Sequence, residues 1–414
     1  MSYTAKASPM LALIVFASCY SSSVFATNGI APIGLGTEHR AMGGVGAGYP
    51  ANSSSMASNP AAAAWVKDGF DVGAELFRPD REATFNGKAF GMPADQVFDG
   101  NGKKSFLIPE ASYKRNLKGG VSLGVAAYGN GGMNTEYAIN PGFGQGEAGV
   151  DYQQLFVSPT AAFQLNPQHA VGISANMVYH RFKASGLQGF DNAMTTASPG
   201  HITNNGYDSS TGIGFAVGWQ GKVAPNLIVG AAYRSKVKMG ELDAYSGLFA
   251  NGGEFNVPGA VSVGASWQVT PSTTVAADVQ HIYYKDSEAI SNSALIQKPF
   301  GANGGPGFGW DDMTVYKVGL KQQVNEKMAL MAGFNYGKQP IDSAQTTLNV
   351  LAPGVVEKHL TLGAQWTLSP KSKLNASYVH AFENEVKGNN SSRMDGYNLK
   401  MKQDSLGISY SHEF

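Results

Sequence analysis

Over residues 405–414, apolar and polar side chains alternate with a period of two. Leu406, Ile408, Tyr410, His412 and Phe414 fall on one side, and Ser405, Gly407, Ser409, Ser411 and Glu413 on the other. That is the period of a β-strand, whose successive side chains point to opposite faces. The same rhythm returns upstream. Leu360, Leu362, Ala364, Trp366 and Leu368 alternate with Thr361, Gly363, Gln365 and Thr367; Met328, Leu330, Ala332, Phe334 and Tyr336 alternate with Ala329, Met331, Gly333 and Asn335. Tyr316, Val318 and Leu320 alternate with Lys317, Gly319 and Lys321. These runs exceed the ~5–6 residues of a soluble strand and match the ~9–11 of a tilted membrane crossing. A soluble sandwich has the same alternation, with its apolar faces turned together.

The connections separate the two. Six short polar turns, at 116–120, 166–169, 222–226, 270–272, 325–327 and 369–372, alternate with seven long Gly- and Asn-rich segments near 79–105, 130–150, 187–207, 240–253, 286–312, 338–357 and 383–402. Short turns on one side and long loops on the other are the outer-membrane arrangement, and this count of connections requires 14 strands with both ends in the periplasm. The predicted fold is all-β: a transmembrane antiparallel barrel over 67–414. Composition agrees, with charged residues at 14% and 52 glycines, against ~25% charge in soluble domains. The formal net charge is zero, which gives no reason to expect a nucleic-acid partner. Phe414, in phase with Ile408 and Tyr410, resembles the signal by which the barrel-assembly machinery recognises its clients, so that machinery is an expected partner.

The N-terminus reads as an export signal over 1–26. Lys6 gives a weak basic region, Met10 to Phe16 an apolar one, and Val24-Phe25-Ala26 a small-x-small cleavage site. The alternative is lipoprotein cleavage before Cys19, the one cysteine of the chain. No later stretch approaches the ~20 apolar residues of a membrane helix, so a membrane-spanning reading requires a closed barrel.

Residues 27–66 do not alternate. The Gly43–Gly48 run has no strand before it and no helix after it, as a phosphate-binding loop needs. A disordered linker is one reading. Ile30, Ile33, Leu35, Met42, Val45, Met56 and Trp65, set among small residues, favour a compact plug inside a wide lumen.

Here the chain resembles the FadL/TodX family of outer-membrane transporters of hydrophobic compounds, 14-stranded barrels closed by an N-terminal hatch. Arg40-Ala41-Met42-Gly43-Gly44 and Asn59-Pro60-Ala61 carry the hatch pattern. Short matches follow in order: Gly124 through Thr135-Glu136-Tyr137, Tyr233-Arg234-Ser235-Lys236-Val237-Lys238, Asn256-Val257-Pro258, Leu295-Ile296-Gln297-Lys298, and Tyr378 with His380. The resemblance implies uptake of fatty acids, aromatics or similar molecules through an apolar pocket, past the hatch and out through a gap beside a kinked third strand. Gly129, Gly131 and Gly132 stand where that kink falls; the same glycines also suit the start of a loop. Lys298 matches a cation for a carboxylate headgroup, while a second basic position of that site is Gly186 here, which leaves a neutral aromatic or terpenoid ligand open. Arg181 shares the outward register of Tyr179 and is expected at the membrane interface.

The expected partners are a hydrophobic small molecule and outer-membrane lipid with lipopolysaccharide. The chain is expected to be a monomer, without cofactor, metal or catalytic residues. Its eight histidines show no metal-ligand spacing. A general or substrate-specific porin for small polar solutes is the alternative function; a rim enzyme or an adhesin has less to support it. The intact mass of protein purified from outer membranes is expected to equal a chain beginning at Thr27, and a mass carrying acyl groups on Cys19 would overturn that cleavage site.

Overall fold

The computed structural model describes residues 27–86 and 95–414, so the expected signal peptide over 1–26 lies outside the described residues. Fourteen long antiparallel strands form one closed wall. They are β1 Gly69–Phe85, β2 Phe106–Asn116, β3 Val121–Tyr137, β4 Ala148–Gln164, β5 His169–Ser185, β6 Asp208–Ala224 and β7 Leu227–Arg234. Around the rest of the wall run β8 Ala260–Thr270, β9 Thr273–Ile282, β10 Met313–Asn325, β11 Met328–Gly337, β12 Lys358–Ser369, β13 Ser372–Val386 and β14 Tyr397–Glu413. Two short pieces, Val97–Asp99 and Lys238–Met239, pair with the loop ends of β1 and β6. The ring closes between β1 and β14, in register from Gly69 opposite Glu413 to Phe85 opposite Tyr397.

All six short turns fall where the alternation places them. Five strands outrun it: β1 continues to Phe85, β3 to Tyr137 and β13 to Val386, while β4 begins at Ala148 and β14 at Tyr397. Ladder hydrogen bonds define a strand, and beyond the bilayer they persist after the two faces stop seeing different solvents.

Exposure decides between barrel and sandwich. Leu406 and Ile408 are 58% and 54% exposed while Ser405 and Ser409 are 6% and 2%. Leu360, Leu362, Leu330, Phe334, Tyr316 and Val318 are exposed in the same way. A wall that buries serine and exposes leucine is stable only with hydrocarbon outside. Among the described residues no helix is long and apolar enough to cross a membrane. Phe414 joins an aromatic rim, its ring 6.1 Å from Phe70 and 5.8 Å from Tyr113, and its N–H donates to the Asp68 carbonyl at 3.0 Å.

Residues 27–66 lie inside the wall as a short helix, α1 Thr37–Ala41, and two 3-10 turns, Ser53–Ala57 and Pro60–Ala64. The second turn starts where its sequence dictates: the Asn59 side chain accepts from the Ala61 N–H, and Pro60 takes the first helical position, where no N–H is needed. Asn59 Nδ2 also donates to the carbonyls of Ala47 at 2.7 Å, Trp219 at 3.1 Å and Ala231 at 3.3 Å, fastening the segment to β6 and β7. Backbone meets backbone at Gly43, whose φ is 72° and where a Cβ would lie 2.5 Å from the Val318 carbonyl oxygen. Met42 is fully buried beside it, its carbonyl against Gly319.

Ionic contacts fix the seat on opposite sides of the lumen. Arg40 grips Glu110 with two 2.8 Å hydrogen bonds, and its Nε stands 3.4 Å from Glu75. Glu38 accepts from Lys321 at 2.7 Å, Tyr49 at 2.8 Å and Gln365 at 2.9 Å. The N–H groups of Gly46 and Ala47 converge on Asp278 Oδ2 at 2.6 and 2.9 Å. Burial alone would push the Glu38 carboxyl up, but Lys321 and Tyr49 bring it down to about 2. Replacing Arg40 with Leu leaves two carboxylates buried without their cation, a loss of about 3–5 kcal/mol, which should appear as a lower denaturant midpoint for the detergent-solubilised barrel. Glu38 stabilises in full above its unfolded value of 4.5, and its contribution falls as pH drops toward about 2. The wild type should therefore lose stability more steeply over that acid range than Glu38→Gln, as read by midpoints against pH.

Candidate functional site

The wall is incomplete at one place. β2 pairs with β3 only from Glu110 opposite Tyr128 to Asn116 opposite Ser122, and Phe106–Pro109 turn back onto β1 alone. Among the described residues, the near edge of β3 from Gly129 therefore has no strand partner until Glu136, which meets Asn101 of the first loop. On its other edge the ladder to β4 slips by one residue between Gly129 and Gly131, which makes Asn130 a bulge. Alternating exposure ends there too: Leu123 is exposed, whereas every residue from Ala126 to Thr135 is buried.

An unpaired edge at membrane depth needs other partners for its peptide groups. Gly132 N–H donates to the Ile30 carbonyl at 3.3 Å. Arg81, 2% exposed, donates to the Asn134 carbonyl, to Asn134 Oδ1 at 3.2 Å and to the Lys103 carbonyl at 2.5 Å. Pro109 on the facing edge has no N–H to leave unsatisfied. The Gly131 Cα stands close to the plug, since a Cβ there would lie 3.1 Å from the Ile30 oxygen and 2.9 Å from Gln154 Oε1.

Above Ile30, toward the long loops, the lumen is closed by apolar packing. Tyr137, Tyr152, Phe182 and Tyr397 of the wall meet Leu187, Ile202, Tyr245, Phe249, Phe255, Trp310 and Val350 of the loops. Tyr284 ties this cap to the plug, receiving the Ile30 N–H at 3.1 Å and donating to the Asn28 carbonyl. Beside the buried stretch of β3 lies a cavity between plug residues 31–35 and 56–58 and the wall from β3 to β10. The resemblance implies an apolar pocket, but Tyr128, Asn130, Ser158, Asn176, Arg234, Asp278 and Lys317 make this lining largely polar, and apolar residues contribute Ile33, Leu35 and Met56. Inward wall positions carry polar side chains because their outward neighbours must be greasy.

Of the residues singled out in the sequence, Arg40, Met42, Gly43, Asn59, Pro60 and Ala61 come together in the lumen, Gly131 and Gly132 meet that segment at Ile30, and Gly129 is the last ladder partner before the bulge. Lys298 is apart from them, on the loop surface, its Nζ donating to the Asn303 carbonyl at 2.9 Å. Arg181 points outward, under the Tyr207 ring at 4.6 Å and bonded to Gln153 at 3.0 Å. Glu75, Glu110 and Asp278 carry no signal in the sequence, each a single charge in an ordinary alternating run, while Arg81 and Arg234 stand among neighbouring charges that do not mark them out. Pairings of His180 with Ser210 at 2.6 Å and His380 with Asp404 at 2.8 Å also emerge only in the fold. Among the described residues no cluster fit to hold a metal occurs.

The comparisons agree with this architecture. No curated protein sequence matches the chain. The toluene transporter TodX of Pseudomonas putida is similar in structure, with TM-score 0.69 and 18% identity over 94% of this chain and 100% of that one. TbuX, the toluene transporter of Ralstonia pickettii, gives 0.64 and 18% over 92% and 99%. A FadL homologue of Pseudomonas aeruginosa gives 0.68 and 17% over 93% and 100%. At these identities the likeness establishes the fold; the family rests on a model of outer membrane protein transport proteins that matches residues 13–414. A closed 14-stranded wall with hydrocarbon outside and a match along nearly its whole length place this chain in the OMPP1/FadL/TodX family of outer-membrane transport proteins.

Proposed function

We propose that the chain takes up small hydrophobic solutes, aromatic hydrocarbons or fatty acids among them, and releases them sideways into the membrane between β2 and β3. The observation that carries this reading is the β3 edge from Gly129 to Thr135, unpaired with β2, buried on both faces and touching the plug where Gly132 meets Ile30. A solute that prefers hydrocarbon gains nothing from a water-filled channel across the barrel; its free energy falls on entering the bilayer. An opening in the wall beside a cavity supplies that route, and the plug blocks the lumen against water and ions. Similar structures titled as toluene transporters support the solute class. In this reading residues 27–66 act as a hatch, and release requires the Ile30 contact to part from Gly132.

Side chains beside the bulge should close the route. Valine at Gly131 places bulk against Ile30 and Gln154; with valine also at Gly132, whose N–H bonds Ile30, uptake of toluene by expressing cells is expected to fall about tenfold, the equivalent of ~1.4 kcal/mol in rate. Heat-modifiable gel mobility should remain that of a folded barrel. Undiminished uptake would count against lateral release, and a steady large conductance of the wild type in planar bilayers would favour a porin.

A further inference from the structure

Arg234, at the loop end of β7, is a cation in the cavity with no acidic partner among the described residues. Its Nη1 donates to Asn130 Oδ1 at 2.6 Å, its guanidinium lies 5.7 Å from the centre of the Phe156 ring, and its Nε is buried without a hydrogen-bond partner. The cavity's other charges cancel: Asp278 and Lys317 occupy directly opposed positions on β9 and β10. Asp278 Oδ1, a buried acceptor of the same lining, also lacks a hydrogen-bond partner, but it belongs to the carboxylate that faces Lys317. Ser174, on β5, and Arg234 both lie opposite Ala216, on either side of β6, and Asn176 is two residues along from Ser174. Asn176 is 2% exposed; its Oδ1 accepts from Ser158 at 2.8 Å, and its Nδ2 has no partner. Two buried donors, one of them on an uncompensated cation, thus stand unpaired in one cavity. Such groups cost about 1–3 kcal/mol each unless something accepts from them.

We propose that Arg234, with Asn176, forms a binding position for the carboxylate end of an amphiphilic solute, its apolar tail lying along Tyr128, Phe156 and Met56. This inference rests on the reading that solutes pass through the cavity. A carboxylate accepts from a guanidinium by charge-assisted hydrogen bonds, whereas a bare hydrocarbon leaves both donors unpaired. The position also touches the exit, because the residue Arg234 now holds is Asn130, the bulge of β3.

Equilibrium binding of decanoate and decanol to the purified full-length barrel in a non-ionic detergent tests this, since the two share a tail and differ in the anion. Wild type should bind decanoate at least about tenfold more tightly than decanol, as one hydrogen bond to a charged group predicts. Arg234→Met should remove that preference with decanol binding unchanged, and Arg234→Lys should restore part of it. Should Arg234→Met fail to fold, Arg234→Gln serves in its place, and the wild-type ratio decides in any case. Equal affinities in the wild type, or a preference surviving in Arg234→Met, would overturn the anion position while leaving hydrophobic uptake standing. Binding of neither probe would overturn both.

Discussion

A peptide group in hydrocarbon has no water to bond, so every strand in this wall must be paired on both edges or find a substitute. The β1–β14 junction obeys that rule over its full length. The β2–β3 junction does not, and the residues around it are arranged accordingly. Arg81 reaches the carbonyl groups of Asn134 and Lys103, Ile30 accepts the Gly132 N–H, and Arg234 holds the bulged Asn130. At this junction the polar groups are satisfied by side chains and by the plug rather than by a neighbouring strand.

The plug sits in a different medium from the wall's outer face, and its anchors reflect that. Charges on α1 reach β1, β2 and β10 through buried ion pairs, and the Gly46 and Ala47 N–H groups donate to the Asp278 carboxylate on β9. Such pairs add little net stability after desolvation, yet each is intolerant of losing one partner, which makes them suited to fixing where a segment of small residues rests. Residues 27–35 are held more lightly, by backbone bonds to Tyr284 and Gly132 and by Ile30 packing under the apolar cap. The cavity is lined both by this lightly held stretch and by Gly46, Ala47 and Asp278 of the ionic seat.

The sequence by itself determined the wall. Alternation such as that from Ser405 to Phe414 names both the strand and its lipid face, because one residue of slip would put serine into hydrocarbon. Turn residues such as Asn325 and Lys327 fix where strands end, through hydrogen bonds local to the turn. Asn59-Pro60-Ala61 specifies its own helical turn for the same reason. What only the tertiary structure decided is where the inward side chains meet. Arg40 finds Glu110 across 70 residues and Arg234 finds Asn130 across 104, and no periodicity encodes such pairings. Lys298 stands at the loop surface while Arg234 lines the cavity, although both occur in short runs of equal prominence in the sequence. Lipid acts on each outward residue separately and so leaves its mark position by position. The lumen acts on groups brought together from distant strands, and their chemistry exists only once the ring has closed.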